Sequence, residues 1–253
     1  MSKLKRLIIL DLNGLLIQRL YKDDYVKTKH LFKEQSDLGN MSAAERRGNF
    51  AVWFRPNIKE FLSWLMNNFH VAIWSSVLQH NIAPIVERLL PDEQERDRLL
   101  FWWNQEHCLV EDDPNATDPK KSKSFYKCLS SVWDDTEINE RWLLNQPKSN
   151  LDLRDHTLLI DDNKLKVRDN PAFTAIHPRT WKLFELYDDN RQLRLYKDDV
   201  LDANGSLRKW LEGLLEWDGT VAEYVEKNPY NDPPLEEIQK TNTESSWETS
   251  GWD

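Results

Sequence analysis

Leu7-Ile8-Ile9-Leu10-Asp11-Leu12-Asn13-Gly14-Leu15-Leu16 is the stretch from which the fold is read. Its apolar run is too short for a membrane helix and matches a fully buried strand. Asp11, Asn13 and Gly14 then break the pattern as turn residues do. In open α/β sheets, ligands bind beyond the carboxyl ends of the strands. An acid released there is a nucleophile, a metal ligand or a turn-former, and Asp11 alone does not choose among them.

Working outward, Ile58, Phe61, Leu62, Leu65, Met66 and Phe69 repeat at helical spacing and predict one buried helix face. His70-Val71-Ala72-Ile73-Trp74 follows as a second strand, ending in the hydroxyls of Ser75 and Ser76. This β-α-β order predicts a parallel sheet with a right-handed crossover. Further strands are expected at Leu100–Trp103, Thr157–Asn163 and Thr174–Pro178. Helices are expected at Ile82–Leu90, Phe125–Trp133, around Ile138–Leu144, and in two closing segments, Leu207–Trp217 and Thr220–Val225. Lys127 falls near the start of the Phe125–Trp133 helix. The polar segment 18–52, with its Gly39-Asn40 turn, reads as an insert or flap over the first strand's edge, placed to grip a substrate. The expected organisation is one domain over residues 1–227 and an acidic, disordered tail over 228–253.

Composition sets the class. The chain has 253 residues, 40% hydrophobic and with 12 tryptophans, enough for a sizeable core. A net charge of -9 argues against a general binder of nucleic acid or anionic membrane. Cys108 and Cys128 are too few for a disulfide framework or a zinc site. Met1 to Arg6 runs straight into the first strand, and no apolar run has transmembrane length, so cytoplasm or nucleus is the expected location. The glycosylation patterns at Asn40, Asn115 and Asn204 carry no meaning there, and Lys120, Lys121 and Lys123 read as a solvated loop. Asp199–Glu212 does not keep the register of a calcium loop, and the six histidines show no ligand spacing.

The ends of these elements offer Asp11 with Asn13, then Ser75, then Lys127, then Asp161 with Asp162. On parallel neighbours they converge on one crevice. The assortment suits phosphoryl transfer: carboxylates from two strands hold magnesium, and a hydroxyl and an ammonium bind phosphate oxygens. One carboxylate attacks phosphorus. A phospho-acceptor receiver domain uses a similar kit, but there the acid pair comes first and the lysine last.

On these residues the chain resembles the haloacid dehalogenase superfamily. The resemblance is to the branch of the RNA polymerase II carboxy-terminal-domain phosphatases of NLI-interacting-factor type, the FCP1 homology domains. The family's Asp-x-Asp-Gly-Thr-Leu is matched by Asp11-Leu-Asn13-Gly14-Leu15-Leu16, and its Arg-Pro step by Arg55-Pro56. Its hydroxyl-ended strand is matched by Ala72-Ile73-Trp74-Ser75-Ser76, its lysine by Lys127-Cys-Leu-Ser-Ser-Val132, and its final acids by Asp161-Asp162-Asn163. The resemblance covers about Leu7 to Pro178. It implies an α/β, Rossmann-like parallel sheet with a small flap after the first strand and no large cap. It further implies Asp11 as nucleophile, and Asp11, the Asn13 carbonyl and Asp161 or Asp162 around magnesium. Ser75, Ser76, Gly14 and Lys127 would lie about the phosphate.

Three departures bear on activity. The family's second aspartate protonates the leaving oxygen, and Asn13 stands in its place. General acid–base catalysis contributes roughly 10²–10⁴-fold, so hydrolysis is expected to be slow unless another group substitutes. Leu15 replaces the usual threonine, and Gln105 stands where small relatives carry a phosphate-binding arginine. The expected function is a magnesium-dependent phosphatase of phosphoserine or phosphothreonine in proteins. The alternative is a catalytically weak relative that binds a protein partner. A small-metabolite hydrolase is disfavoured by the lack of a large cap.

Overall fold

The computed structural model describes residues 4–33, 45–47, 49–112, 122–144, 146–147, 150–187 and 192–237. The first strands are β1 (Leu7–Leu10), β2 (Ile17–Tyr21), β3 (Glu45–Arg47), β4 (Phe50–Phe54), β5 (His70–Trp74) and β6 (Leu99–Trp103). They are followed by β7 (Leu109–Asp112), β8 (Lys123–Tyr126), β9 (Thr157–Ile160), β10 (Ala175–Ile176), β11 (Phe184–Tyr187), β12 (Gln192–Lys197) and β13 (Glu236–Glu237). The helices are α1 (Lys22–Lys33), α2 (Ile58–Asn68), α3 (Gln79–Leu89), α4 (Glu93–Asp97), α5 (Ser130–Trp133), α6 (Thr136–Leu143), α7 (Ser206–Glu216) and α8 (Val221–Lys227).

Five strands form a parallel sheet in the order β10-β9-β1-β5-β6, as expected of an α/β fold with a buried first strand. Leu7, Ile8, Ile9 and Leu10 are all fully buried. Side chains alternate across a strand, so this run feeds two cores at once. Ile8 and Leu10 pack into the layer of α2, α3, α7 and α8, with Phe61, Leu65, Val86, Leu211 and Val225. Leu7 and Ile9 face the layer of α5 and α6, with Val132, Ile138 and Trp142. Fully burying one such side chain is worth about 1.5–3 kcal/mol, which makes a strand apolar on both faces the natural centre of the sheet.

Register positions the site. Leu10 lies opposite Ile73 on one side and Ile160 on the other. Asp11 therefore leaves β1 level with Asp161 beyond β9, and its amide donates to the Ile160 carbonyl at 2.9 Å.

The insert is more regular than its composition predicts. β2, β4 and β3 form an antiparallel sheet, with α1 between β2 and β3. Ala51 and Trp53 on β4 are buried against Trp181, Leu183, Phe184 and Leu195. The β11–β12 hairpin, which carries part of this small core, has no counterpart in the sequence expectations. Residues 34–44 and 48, including the Gly39-Asn40 turn, lie outside the described residues. So do residues 113–121 with Asn115, Lys120 and Lys121.

One expected helix is mostly absent. Lys123–Tyr126 is β8, paired antiparallel with β7, and only Ser130–Trp133 is helical. Lys127 sits in the turn between them, where its amide donates to the Lys166 carbonyl at 2.7 Å. Strand pairing here overrides a helical spacing of only a few residues. Of the expected tail, 228–237 is described: the Arg179 amide donates to Asp232 at 2.7 Å, and β13 pairs with β12. Residues 238–253 lie outside the described residues. Among the described residues no helix is long and apolar enough to cross a membrane.

Candidate active site

Asp11, Lys127 and Asp161 meet in the interior at the carboxyl edge of the sheet, all three buried. The Lys127 ammonium donates to Asp11 Oδ1 and to Asp161 Oδ2, each at 2.6 Å. Burial disfavours the ammonium, yet Asp11 and Asp161 outweigh it and push its pKa up to about 12. Burial also disfavours the Asp161 carboxylate, but Lys127 and Lys166 outweigh that and hold it below the usual carboxylate range.

Local backbone contacts place these groups. Asn170 clamps the turn, donating from Nδ2 to the Lys127 carbonyl at 2.8 Å and accepting from the Leu129 amide at 2.7 Å. Asn163 donates its amide to Asp161 Oδ1 at 2.9 Å, while its side chain accepts from the Leu165 amide at 3.0 Å. It thereby caps a 3₁₀ turn over Lys164–Val167. That turn brings Lys166 Nζ within 3.8 Å of Asp11 Oδ2. Lys166 was not among the sequence candidates, because a lysine in a charged loop carries no signal of its own.

Asp162 lies against the loop that follows Asp11. Thr180 Oγ1 donates to its Oδ2 at 2.6 Å. Burial, then the charges of Asp11 and Asp161, push the Asp162 carboxyl above its usual pKa. Gly14, at φ +90°, passes so close to this carboxylate that a Cβ would overlap it. The Gly14 amide donates to the Ile17 carbonyl at 2.9 Å, and its carbonyl accepts from the Trp181 amide at 2.6 Å. Its backbone thus holds the loop together, and its N–H is already committed where a phosphate contact was expected.

Ser75 is buried at the same edge, one residue past β5, with its amide bonded to the Trp103 carbonyl at 2.9 Å. Ser76 is half-buried beside it. Asn13 Oδ1 accepts from Arg19 Nε at 3.2 Å. Arg19, on β2, is a second cation that the sequence candidates omitted; it belongs to the polar insert, which gave no reason to single it out.

Asp11, Asp161 and Asp162 can each turn one oxygen to within 4.8 Å of the others. Asp11 Oδ2 is buried without a hydrogen-bond partner among the described residues. Oxygen-only donors suit a hard cation such as magnesium, and an orphaned buried carboxylate oxygen suits a ligand, so the residues fit.

Comparison with known proteins follows the same lines. The profile of the family described as NLI interacting factor-like phosphatase matches residues 6–204. An uncharacterised FCP1 homology domain-containing protein of Schizosaccharomyces pombe is 26% identical over 167 residues, 66% of this chain and 58% of its own length. A CTD phosphatase-like protein of invertebrate iridescent virus 3 is 24% identical over 165 residues, 64% of this chain and 77% of its own. The fission yeast RNA polymerase II CTD phosphatase Fcp1 bound to beryllium fluoride superposes with a TM-score of 0.44 at 14% identity, over 88% of this chain and 54% of that one. The chain thus spans under two thirds of the length of the fission yeast proteins it matches.

Proposed function

Because the chain belongs to the NLI interacting factor-like phosphatase family, we propose that it hydrolyses phosphorylated side chains of proteins through a phosphorylated Asp11. Phosphoserine and phosphothreonine are the side chains the resemblance names. The observation that carries the reading is the buried Asp11–Lys127–Asp161 triad, with both lysine contacts at 2.6 Å.

Asp11, Asp161 and Asp162, with the Asn13 carbonyl, would hold magnesium; when bound, it supplies positive charge at the phosphoryl oxygens. Asp11 attacks phosphorus in line with the leaving oxygen. Lys127 neutralises charge on the transferring group in a site shielded from water. Ser75, at the neighbouring strand end, offers a hydroxyl to the same group. Water then attacks phosphorus, the Asp11–phosphorus bond breaks, and phosphate departs.

A second reading is a phosphoprotein-binding module with little turnover, and Asn13 favours it. The test is release of para-nitrophenol from its phosphate, with and without magnesium, by wild type, Asp11→Asn and Asn13→Asp. Magnesium-dependent release abolished in Asp11→Asn supports the phosphatase. Release by Asn13→Asp alone selects the binding module, and silence from all three overturns the phosphatase and leaves a binding scaffold.

A further inference from the structure

The Asn13–Arg19 contact bears on which phosphoryl donors the site accepts. Arginine has only donors, so the atom facing Arg19 Nε must be the Asn13 oxygen. That bond leaves the NH₂ group as the donor that the Asn13 side chain can offer in the position where the family carries an acid. An amide NH₂ can hydrogen-bond a leaving oxygen but cannot give it a proton. Beside it lies a guanidinium that stays charged. The Phe50 ring holds it from below, 4.7 Å from the ring centroid. Its Nη1 is buried and has no hydrogen-bond partner among the described residues; burial lowers the guanidinium's pKa from the ordinary arginine value, and the Asp11 charge partly offsets this. The site therefore carries a fixed cation that has an unspent N–H and is bonded to Asn13, the residue that stands where the family carries its acid.

We infer that Arg19 is a specificity-determining residue: with Asn13 it supports the leaving oxygen as an anion, and so selects phosphoryl donors whose leaving group departs without a proton. This rests on the phosphatase reading above. In the first step the bond from phosphorus to the leaving oxygen breaks, that oxygen keeps the electron pair, and Asp11 forms the new bond to phosphorus. No proton moves. A tyrosine phenolate, with a pKa of about 10, leaves in this way far more readily than a serine alkoxide, the conjugate base of a much weaker acid. Among phosphorylated protein side chains, phosphotyrosine and acyl phosphates are preferred over phosphoserine and phosphothreonine.

The experiment is kcat/KM with magnesium over aryl phosphates from 2,4-dinitrophenyl to phenyl phosphate, together with matched phosphotyrosine and phosphoserine peptides. Wild type, Arg19→Gln and Asn13→Asp are compared. Expected are a steep fall with leaving-group pKa in wild type and a flatter line in Asn13→Asp. Arg19→Gln is expected to lose about 10²-fold on phenyl phosphate and much less on the dinitrophenyl ester. A flat wild-type line, or phosphoserine turned over as fast as phosphotyrosine, overturns the inference and leaves the phosphatase intact. An equal loss on every ester in Arg19→Gln also overturns it, since a structural role would act that way. If Arg19→Gln does not fold, the wild-type and Asn13→Asp lines decide. No turnover of the dinitrophenyl ester by any variant removes the phosphatase reading itself.

Discussion

Arg55 and Asp198 form a two-bond ion pair, Nε to Oδ2 and Nη2 to Oδ1, at 2.7 Å each. Both side chains are nearly buried. The remaining Arg55 nitrogen, Nη1, donates to the Leu15 carbonyl at 2.9 Å, so one side chain ties the end of the flap to the loop after Asp11 and to the approach to α7. Removing one partner strands the other charge without water. Arg55→Ala is expected to cost about 3–5 kcal/mol in denaturant unfolding. Arg55→Lys keeps the charge but loses the planar fork, and should cost less than Arg55→Ala while still lowering the midpoint.

Gly14→Ala tests the loop itself. A side chain at φ +90° is strained, and here it would also overlap the Asp162 carboxylate. Backbone strain of this kind costs about 1–3 kcal/mol. The expected result is a lower melting temperature together with weakened magnesium binding, because Asp162 must move. Magnesium affinity unchanged in a destabilised variant would mean that Asp162 is not a ligand.

Magnesium binding is read independently of turnover by calorimetric titration and by thermal shift. A cation that binds only the folded chain stabilises it by about 2.7 kcal/mol at a hundred times its Kd. That gain is expected in wild type and in Asn13→Asp, whose backbone carbonyl is unchanged. It should fall sharply in Asp161→Asn. An equal shift in wild type and Asp161→Asn would remove Asp161 from the ligand set.

His70 gives the fold a pH dependence outside the site. Burial, then the charges of Lys5 and Arg141, push its pKa down to about 4. The folded state therefore holds His70 neutral, whereas the unfolded chain takes up a proton near 6.5. Its contribution is intact above pH 6.5, is lost as pH falls from 6.5 to about 4, and changes no further below that. Solvent reaches part of the ring, so the loss is expected at about 2 kcal/mol. Urea midpoints measured from pH 7 to 4.5 should slope less in His70→Gln than in wild type.

How much the sequence discloses depends on how local the cause is. Leu7–Leu10 and Ile58–Phe69 announce themselves because burial imposes a period on the residues themselves. Asp11, Asp161 and Lys127 were legible as chemistry, since an acid or lysine at an element's end has few bland alternatives once four such ends occur in order. Lys127 was nonetheless expected on a helix, because the pairing of β8 with distant β7 leaves no trace in the spacing of Lys123–Val132. Lys166 and Arg19 are set by tertiary contacts, the 3₁₀ turn under Asn163 and the ring of Phe50. The β11–β12 hairpin owes its place to Trp53, more than a hundred residues earlier in the chain. Such causes are non-local, and a reading by windows passes over them.

The level register of β9, β1 and β5 also bears on how the protein can change. A residue inserted into or removed from Leu7–Leu10, His70–Trp74 or Thr157–Ile160 would shift an end by a whole step of about 3.3 Å and turn its side chain to the opposite face. No partial adjustment exists: Asp11, Ser75 and Asp161 either keep step or part company. Length variation among descendants of this chain is therefore confined to its connections, such as the flap between β2 and β4 or the segment between β7 and β8. There the partner can be renegotiated without recounting the strands.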